Sequence, residues 1–117
     1  MIAIRGAICA TNTGESISVR TAILLERIFE ANQLDVNNII SVMFTCTKDL
    51  NAAYPAVAAR GFGLTQASLM CAQEMDVLGS MQGIVRVQVL AVNSGLGQAY
   101  VKHVYLGRAA ALRPDLS

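Results

Sequence analysis

Isoleucines alternate with small or charged residues at the start of the chain, and the apolar residues then follow a helical period. In Ile2–Cys9, isoleucines at positions 2, 4 and 8 fall on one side of an extended chain, which predicts a strand. After a polar loop at residues 10–16, apolar residues recur every three or four positions as far as Asn32. This period predicts a long helix with Ser16 as its N-cap. The predicted buried face of the helix consists of Ile17, Thr21, Leu24, Leu25, Ile28 and Ala31.

Further along the chain, continuous apolar stretches predict strands separated by turns. Ile39–Thr47 is nearly all apolar, which is typical of a strand covered on both faces. Pro55 suits the first turn of a short helix over Ala56–Gly61. The remaining predicted strands are Ala67–Cys71, Ile84–Val92 and Val101–Leu106. A Gly-marked turn at residues 93–98 predicts that Val101–Leu106 pairs with Ile84–Val92 as a hairpin. The pattern predicts a single α+β (mixed α/β) domain over residues 1–117, with a long helix packed on one mixed sheet.

The composition is unusually apolar for a chain of this length. Apolar residues make up 54% and charged residues 15% of the sequence, whereas typical globular domains have about 45–50% and about 25%. So few polar residues cannot comfortably cover a monomer, and we expect a homo-oligomer. No stretch approaches the roughly 20 apolar residues of a membrane-spanning helix, and small and polar residues follow Arg5 where a signal peptide would be apolar. We therefore expect a soluble, cytoplasmic protein with no membrane partner.

Charge and side-chain chemistry exclude several classes of function. The net charge of +1 gives no basic field for binding nucleic acid. His103 is the only histidine, and no second cysteine or carboxylate stands at ligand spacing, so we expect no metal site. The cysteines Cys9, Cys46 and Cys71 are widely spaced and are expected to be reduced. A Cys71–His103 nucleophilic pair is conceivable, but a cysteine beside an apolar strand is usually a core residue.

The chemically unusual residues are arginines inside predicted strands. Arg86 lies in the most β-prone apolar run of the chain, and Arg5 lies among alanines in the first strand. A guanidinium is costly to bury without a partner. Each could reach a sheet edge or pair with an acid such as Glu74 or Asp76, but two of them together favour a convergent anion site on a rigid sheet. The cations of this predicted site are Arg5, Arg60, Arg86 and Arg113.

Two acids, Glu74 and Asp76, follow the end of a predicted strand in the stretch CAQEMDV. One of them could be a general base, a structural partner for an arginine, or an acceptor for a substrate hydroxyl. Their spacing does not choose among these three roles.

Five stretches of the chain carry a resemblance to a known family. They are IRGA at 4–7, DLNAAYPAVAAR at 49–60, CAQEMDV at 71–77, IVRV at 84–87, and HVYL followed by LRPDLS between 103 and 117. In this order and at these intervals, they resemble the monofunctional chorismate mutases of the trimeric α/β type, the Bacillus-type class. The resemblance covers nearly the whole chain, and the combination is specific although each stretch alone would be weak.

This resemblance implies a homotrimer that forms a pseudo-α/β-barrel, with the sheets inside and the helices outside. It also implies an active site at each of the three subunit interfaces. It implies conversion of chorismate to prephenate without a cofactor. Arg86 is expected to contact a substrate carboxylate and the ether oxygen of the bond that breaks, while Arg5 and Tyr105 bind a carboxylate. Glu74 and the region of Cys71 are expected to hold the ring hydroxyl. These five residues are expected to come from one subunit.

The resemblance also assigns residues to the mouth of the site, with Tyr54 and Arg60 supplied by the neighbouring subunit. The expected mouth residues are Tyr54, Ala56, Arg60, Leu112 and Arg113. The family often has a lysine where this chain has Val57 and a threonine where it has Met70. Val57 removes a cation from the mouth, and Met70 offers only its backbone to the substrate hydroxyl. A third departure is GAIC at residues 6–9, where the family often has GATT.

The implied reaction agrees with the side chains present. In the rearrangement, a C–O bond breaks as a C–C bond forms, with no proton transfer, nucleophile or metal, and this suits a chain with a single histidine. Two alternatives stay open at the level of sequence. One is a trimeric imine-hydrolysing family of similar size and fold, which lacks the stretches CAQEMDV and LRPDL. The other is a non-catalytic trimer that binds small carboxylates.

Overall fold

One five-stranded mixed sheet organises the chain. The computed structural model describes residues 1–92, 95 and 97–115. The strands are β1 (Ile2–Cys9), β2 (Ile39–Cys46), β3 (Ser68–Gln73), β4 (Ile84–Ala91) and β5 (Val104–Tyr105), in the spatial order β3-β2-β4-β1-β5. The helices are α1 (Gly14–Asn32) and α2 (Pro55–Phe62), and short 3₁₀ segments cover Val36–Asn38, Gln98–Tyr100 and Gly107–Leu112. The predicted α+β class, with a long helix on a single mixed sheet, is confirmed.

The two helices cover one face of the sheet and form the core with it. Ile4, Phe44 and Val89 point from successive strands toward Leu24 and Ile28 of α1, and all five side chains are fully buried. The predicted apolar face of α1 is buried as expected, except that Ala31 is only half-buried. Within the described ranges, no helix combines the length and apolarity that a bilayer crossing requires.

The start of α1 lies earlier than predicted. Thr13, not Ser16, is the N-cap residue, and its hydroxyl accepts a hydrogen bond from the Ser16 backbone N–H at 3.0 Å. The Ser16 hydroxyl instead accepts from the backbone N–H of Thr11 at 3.0 Å and holds the preceding loop against the helix. Two hydroxyl residues three apart both matched the capping pattern, and the helix begins at the first of them.

The predicted hairpin between the last two strands is wrong. Only Val104–Tyr105 of the predicted segment Val101–Leu106 is a strand, and it pairs in parallel with β1. The reason is that β4 already pairs along one edge with β1 and along the other with β2, so no edge is left for β5. The predicted turn at residues 93–98 lies partly outside the described residues.

The other boundaries shift by one or two residues. β2 ends at Cys46 because the hydroxyl of Thr47 accepts from the Ile84 backbone N–H at 3.0 Å and begins a turn. α2 gains one residue at each end of the predicted Ala56–Gly61, β3 starts and ends later than predicted, and β4 ends one residue earlier.

The second face of the sheet is open in the single chain. The expectation that Ile39–Thr47 is covered on both faces is wrong here, because Ile40 and Met43 are 41% and 37% exposed. Near one end, the 3₁₀ segment Gly107–Leu112 packs over this face and buries Ala7 and Ile84. We call the uncovered remainder the open face; its side chains are Ala3, Arg5, Ser41, Met43, Thr45, Met70, Arg86, Gln88 and Leu90.

Candidate active site

A small pocket on the open face gathers three arginines. Its volume is about 190 Å³, and its lining residues are Arg5, Gly6, Met43, Thr45, Arg86, Val87, Gln88, Tyr105 and Arg113. Arg86 of β4 lies opposite Ala7 of β1, and Arg5 lies opposite Gln88, so the two arginines stand diagonally on adjacent antiparallel strands. Three guanidinium groups around one pocket form a binding site for an anion with more than one negative charge.

Arg86 is paired with Glu74 but is not satisfied by it. Its Nε lies 2.8 Å from Oε1 of Glu74, and the two side chains are 40% and 25% exposed. The N–H at Nε is not aligned with that oxygen, so among the described residues this buried nitrogen has no hydrogen-bond partner. The pair therefore neutralises part of the charge while leaving donor capacity unused, which is an arrangement suited to binding a further acceptor.

Strand β2 holds both the backbone and the side chain of Glu74 by hydrogen bonds. Its backbone N–H donates to the carbonyl oxygen of Cys46 at 2.8 Å, and the hydroxyl of Thr45 donates to its Oε1 at 2.8 Å. The second acid of the stretch, Asp76, instead pairs with Lys48 at 3.1 Å on an exposed surface. Of the two candidate acids, only Glu74 is brought to the arginine pocket.

Tyr105 enters the pocket through β5, where it lies in register with Ala7, and it is largely buried. Beside it, Nδ1 of His103 accepts a hydrogen bond from the Arg5 backbone N–H at 2.9 Å. Burial, with the charges of Arg5 and Arg113, lowers the pKa of His103 below its ordinary value. This histidine supports the strand that carries Arg5 and is neutral at pH 7.

The C-terminal residues close one side of the pocket. Leu112 packs against Tyr105 and Ala109 in the small apolar cluster that the 3₁₀ segment forms with the sheet. Arg113 lines the pocket, and its guanidinium also contacts the Asp115 carboxylate at 2.8 Å. This pair is exposed, so its contribution to stability is small.

A larger cavity of about 470 Å³ lies near the β3 edge and holds other predicted site residues. Tyr54 and Cys71 line it, together with Cys46 and Lys48. Burial, followed by the neighbouring Cys71, raises the pKa of the Cys46 thiol to about 11. We take the smaller pocket as the candidate active site because three arginines line it, whereas Lys48 is the one cation among the described residues that line the larger cavity.

The single chain thus assembles only part of the predicted site. Arg5, Glu74, Arg86, Tyr105, Leu112 and Arg113 come together on the open face. Cys71 and Tyr54 do not join them, Ala56 is buried in α2, Arg60 is exposed on α2, and Met70 is exposed on the open face. Because β3 and β5 are at opposite ends of the sheet, a Cys71–His103 pair does not form.

Sequence reasoning missed Thr45 and the role of His103 as a backbone acceptor. Thr45 is one of two hydroxyl residues, with Ser41, in a mostly apolar strand, and its role could not be read until its neighbour across the sheet was known. The register places Thr45 directly opposite Arg86.

Comparisons with known proteins agree on one family. The family model described as Chorismate mutase type I matches residues 1–116. Chorismate mutase AroH of Thermus thermophilus is 43% identical over 115 residues, which is 97% of this chain and 93% of that protein. Chorismate mutase AroH of Bacillus subtilis (strain 168) is 38% identical over 116 residues, which is 97% of this chain and 91% of that protein. A solved chorismate mutase from Clostridium thermocellum superimposes with a TM-score of 0.91 at 44% identity, covering 95% of this chain and 99% of that one.

Proposed function

The chain belongs to the chorismate mutase type I family, and we propose that it converts chorismate to prephenate, a step in phenylalanine and tyrosine biosynthesis, at the arginine pocket of the open face. The observation that supports this location best is Arg86, a strand-mounted cation with a buried donor that has no hydrogen-bond partner among the described residues. Chorismate is a dianion, and this pocket offers Arg5 and Arg113 for its remaining charge.

Arg86 is proposed to stabilise the transition state electrostatically. As the C–O bond breaks, negative charge grows on the ether oxygen, so a fixed cation there binds the transition state more tightly than the ground state. β4 is hydrogen-bonded on both sides, by β1 and β2, and is therefore a rigid mount for this side chain. No covalent intermediate and no acid–base step is needed, and the proposed mechanism uses no cofactor.

Arg5 and Tyr105 are proposed to hold a carboxylate and so select the compact conformer in which the reacting carbons meet. Chorismate is flexible, and fixing it in this conformer supplies a positioning contribution to the rate. Glu74 is proposed to accept from the ring hydroxyl while it partly compensates the charge of Arg86. The side chain of Cys71 lies in the other cavity, so its region is proposed to contribute through the backbone.

A direct assay tests the function. Purified protein incubated with chorismate is expected to remove the chorismate absorbance and to produce prephenate. Binding of chorismate without turnover would instead indicate a non-catalytic carboxylate-binding protein, and hydrolysis of an imine with release of ammonia would indicate a member of the imine-hydrolysing family.

We also propose that the active form is a homotrimer. The open face leaves Met43 and Met70 exposed in the single chain. The arginine pocket is smaller than the roughly 300 Å³ at which ligand pockets begin, and a neighbour contributing Tyr54 and Arg60 would enlarge and close it. A cytoplasmic location remains a prediction from the sequence.

Sedimentation equilibrium tests the assembly. The expected result is a species with the mass of three chains of 12.4 kDa each, with activity falling on dilution in step with dissociation. A monomer that is stable and fully active at the assay concentration would contradict the trimer proposal.

We expect kcat to be nearly constant between roughly pH 5 and 9, because the rearrangement moves no proton. A limb near pH 6.5 in the pH dependence of kcat would contradict the mechanism.

Protonation of His103 is expected to lower the free energy of unfolding. Its pKa is lowered by folding, so the unfolded chain binds the proton more readily. The contribution of neutral His103 to the free energy of unfolding is complete above about pH 6.5, the pKa of an unfolded histidine. It is lost as the pH falls through that value toward the lower pKa of the folded state. Unfolding in urea at several pH values measures this loss.

A further inference from the structure

Thr45 contacts the same carboxylate oxygen as the cation of the site. Its hydroxyl donates to Oε1 of Glu74 at 2.8 Å, and Nε of Arg86 lies 2.8 Å from that oxygen. Thr45 and Arg86 are directly opposite each other in the pairing of β2 with β4, so both reach Glu74 from fixed positions on the sheet. The hydrogen bond with good geometry at Oε1 comes from the threonine, because the N–H of Arg86 is not aligned with it.

The backbone alone does not fix the Glu74 carboxylate. β3 ends at Gln73, and the backbone bond from Glu74 to Cys46 is followed by irregular chain over residues 74–77. A glutamate side chain has three rotatable bonds, and a carboxylate close to a guanidinium readily turns to place both oxygens on it as a bidentate pair. A bidentate pair would occupy two of the arginine N–H groups that the pocket presents.

We propose that Thr45 is a positioning residue for the rearrangement, acting through Glu74 on Arg86. Its hydroxyl holds Oε1 and thereby keeps the carboxylate in a one-oxygen contact with Arg86, which leaves the guanidinium donors for the substrate. This role rests on the proposed function. Thr45 lines the pocket, but its hydroxyl hydrogen is already donated to Glu74, so its effect is expected to pass through that carboxylate.

A mutant cycle tests this role. Thr45→Val keeps the shape and β-branching of the side chain but removes the hydroxyl, and we expect kcat to fall about tenfold, the effect of losing one hydrogen bond to a charged group. KM is expected to change less than kcat. Thr45→Ser restores the hydroxyl and is expected to return kcat to within about twofold of wild type. In a Glu74→Gln background, Thr45→Val is expected to change kcat by less than about twofold, because the carboxylate it positions is gone.

Thr21→Val is the matched control. Thr21 lies on α1, on the other side of the sheet, and its buried hydroxyl has no hydrogen-bond partner within the described part of the chain. The same exchange of hydroxyl for methyl should leave kcat unchanged there. A side-chain NMR signal gives a readout independent of turnover: in Thr45→Val without substrate, the Nε–H resonance of Arg86 is expected to shift, and in Thr21→Val it is expected to stay.

The outcomes separate the two proposals. If the wild-type protein converts chorismate and Thr45→Val keeps its kcat, the positioning role is wrong while the proposed function stands. An equal loss of kcat in the wild-type and Glu74→Gln backgrounds would also overturn it, since the effect would not pass through Glu74. If the wild-type protein fails to convert chorismate, the proposed function fails and the role of Thr45 fails with it.

Discussion

Arg86→Ala is expected to leave the protein nearly inactive toward chorismate. Removing one preorganised donor from a developing oxyanion costs about 10²–10³ in rate, roughly 3–4 kcal/mol, and removing a full cation should cost at least that. The loss is expected in kcat and not only in KM, because the ether oxygen becomes anionic only in the transition state. Steady-state kinetics with chorismate measure both constants.

Two further arginine variants make the result specific. Arg86→Lys is expected to recover only part of kcat, since an ammonium group cannot meet a carboxylate and the ether oxygen together as a planar fork can. Arg27→Ala is the control: Arg27 is exposed on α1, which packs against the opposite face of the sheet. It should keep wild-type kcat. An Arg86→Ala protein that changes only KM would contradict transition-state stabilisation.

Gly6→Ala is expected to destabilise the fold by about 3 kcal/mol, at the upper end for an overpacked core. A Cβ at Gly6 would lie 2.7 Å from the backbone carbonyl oxygen of Val104 and 3.0 Å from Cδ1 of Ile28. Val104 belongs to β5, which pairs with β1 at this position, so relief of the clash must push β5 outward. Because β5 carries Tyr105 into the pocket, KM for chorismate should rise as well. Urea unfolding and steady-state kinetics measure the two effects.

Gly14→Ala provides the matched control for this substitution. A Cβ at Gly14 meets nothing within 4 Å, and the residue lies in the first turn of α1, where alanine is acceptable. Its stability is expected to equal or slightly exceed that of the wild type. Unfolding of Gly6→Ala and Gly14→Ala at the same urea concentration would contradict the close packing of β5 against β1 at Gly6.

Local pattern was enough to predict most of the sheet. β1 was predicted with its observed bounds because the isoleucines on one side of the strand end there in a polar loop. The partner of β5 could not be predicted, since pairing depends on which edges other strands have already taken. β4 is the central strand, and both of its edges are occupied. The local pattern carries no information on that competition.

The site was predictable to the extent that it depends on strand faces. The period of two along β4 puts Arg86 on the same face as Ile84, Gln88 and Leu90, and Arg86 and Gln88 both line the pocket. Glu74 was one of the two acids predicted as possible partners of Arg86, and the observed contact selects it. The position of Thr45 beside them depends on the register between β2 and β4, which residue spacing does not contain. The roles of Tyr54 and Arg60 depend on neighbouring subunits and stay predictions.

We infer that the positive charge of Arg86, and not its shape, accelerates the rearrangement. Arg86→citrulline, made by semisynthesis, keeps the size and the planar geometry of the side chain and removes its positive charge. We expect a protein with wild-type unfolding behaviour and oligomeric state but with kcat reduced at least about 10²-fold. A folded citrulline variant that keeps wild-type kcat would show that Arg86 is a structural cation paired with Glu74, and would contradict stabilisation of the transition state by its charge.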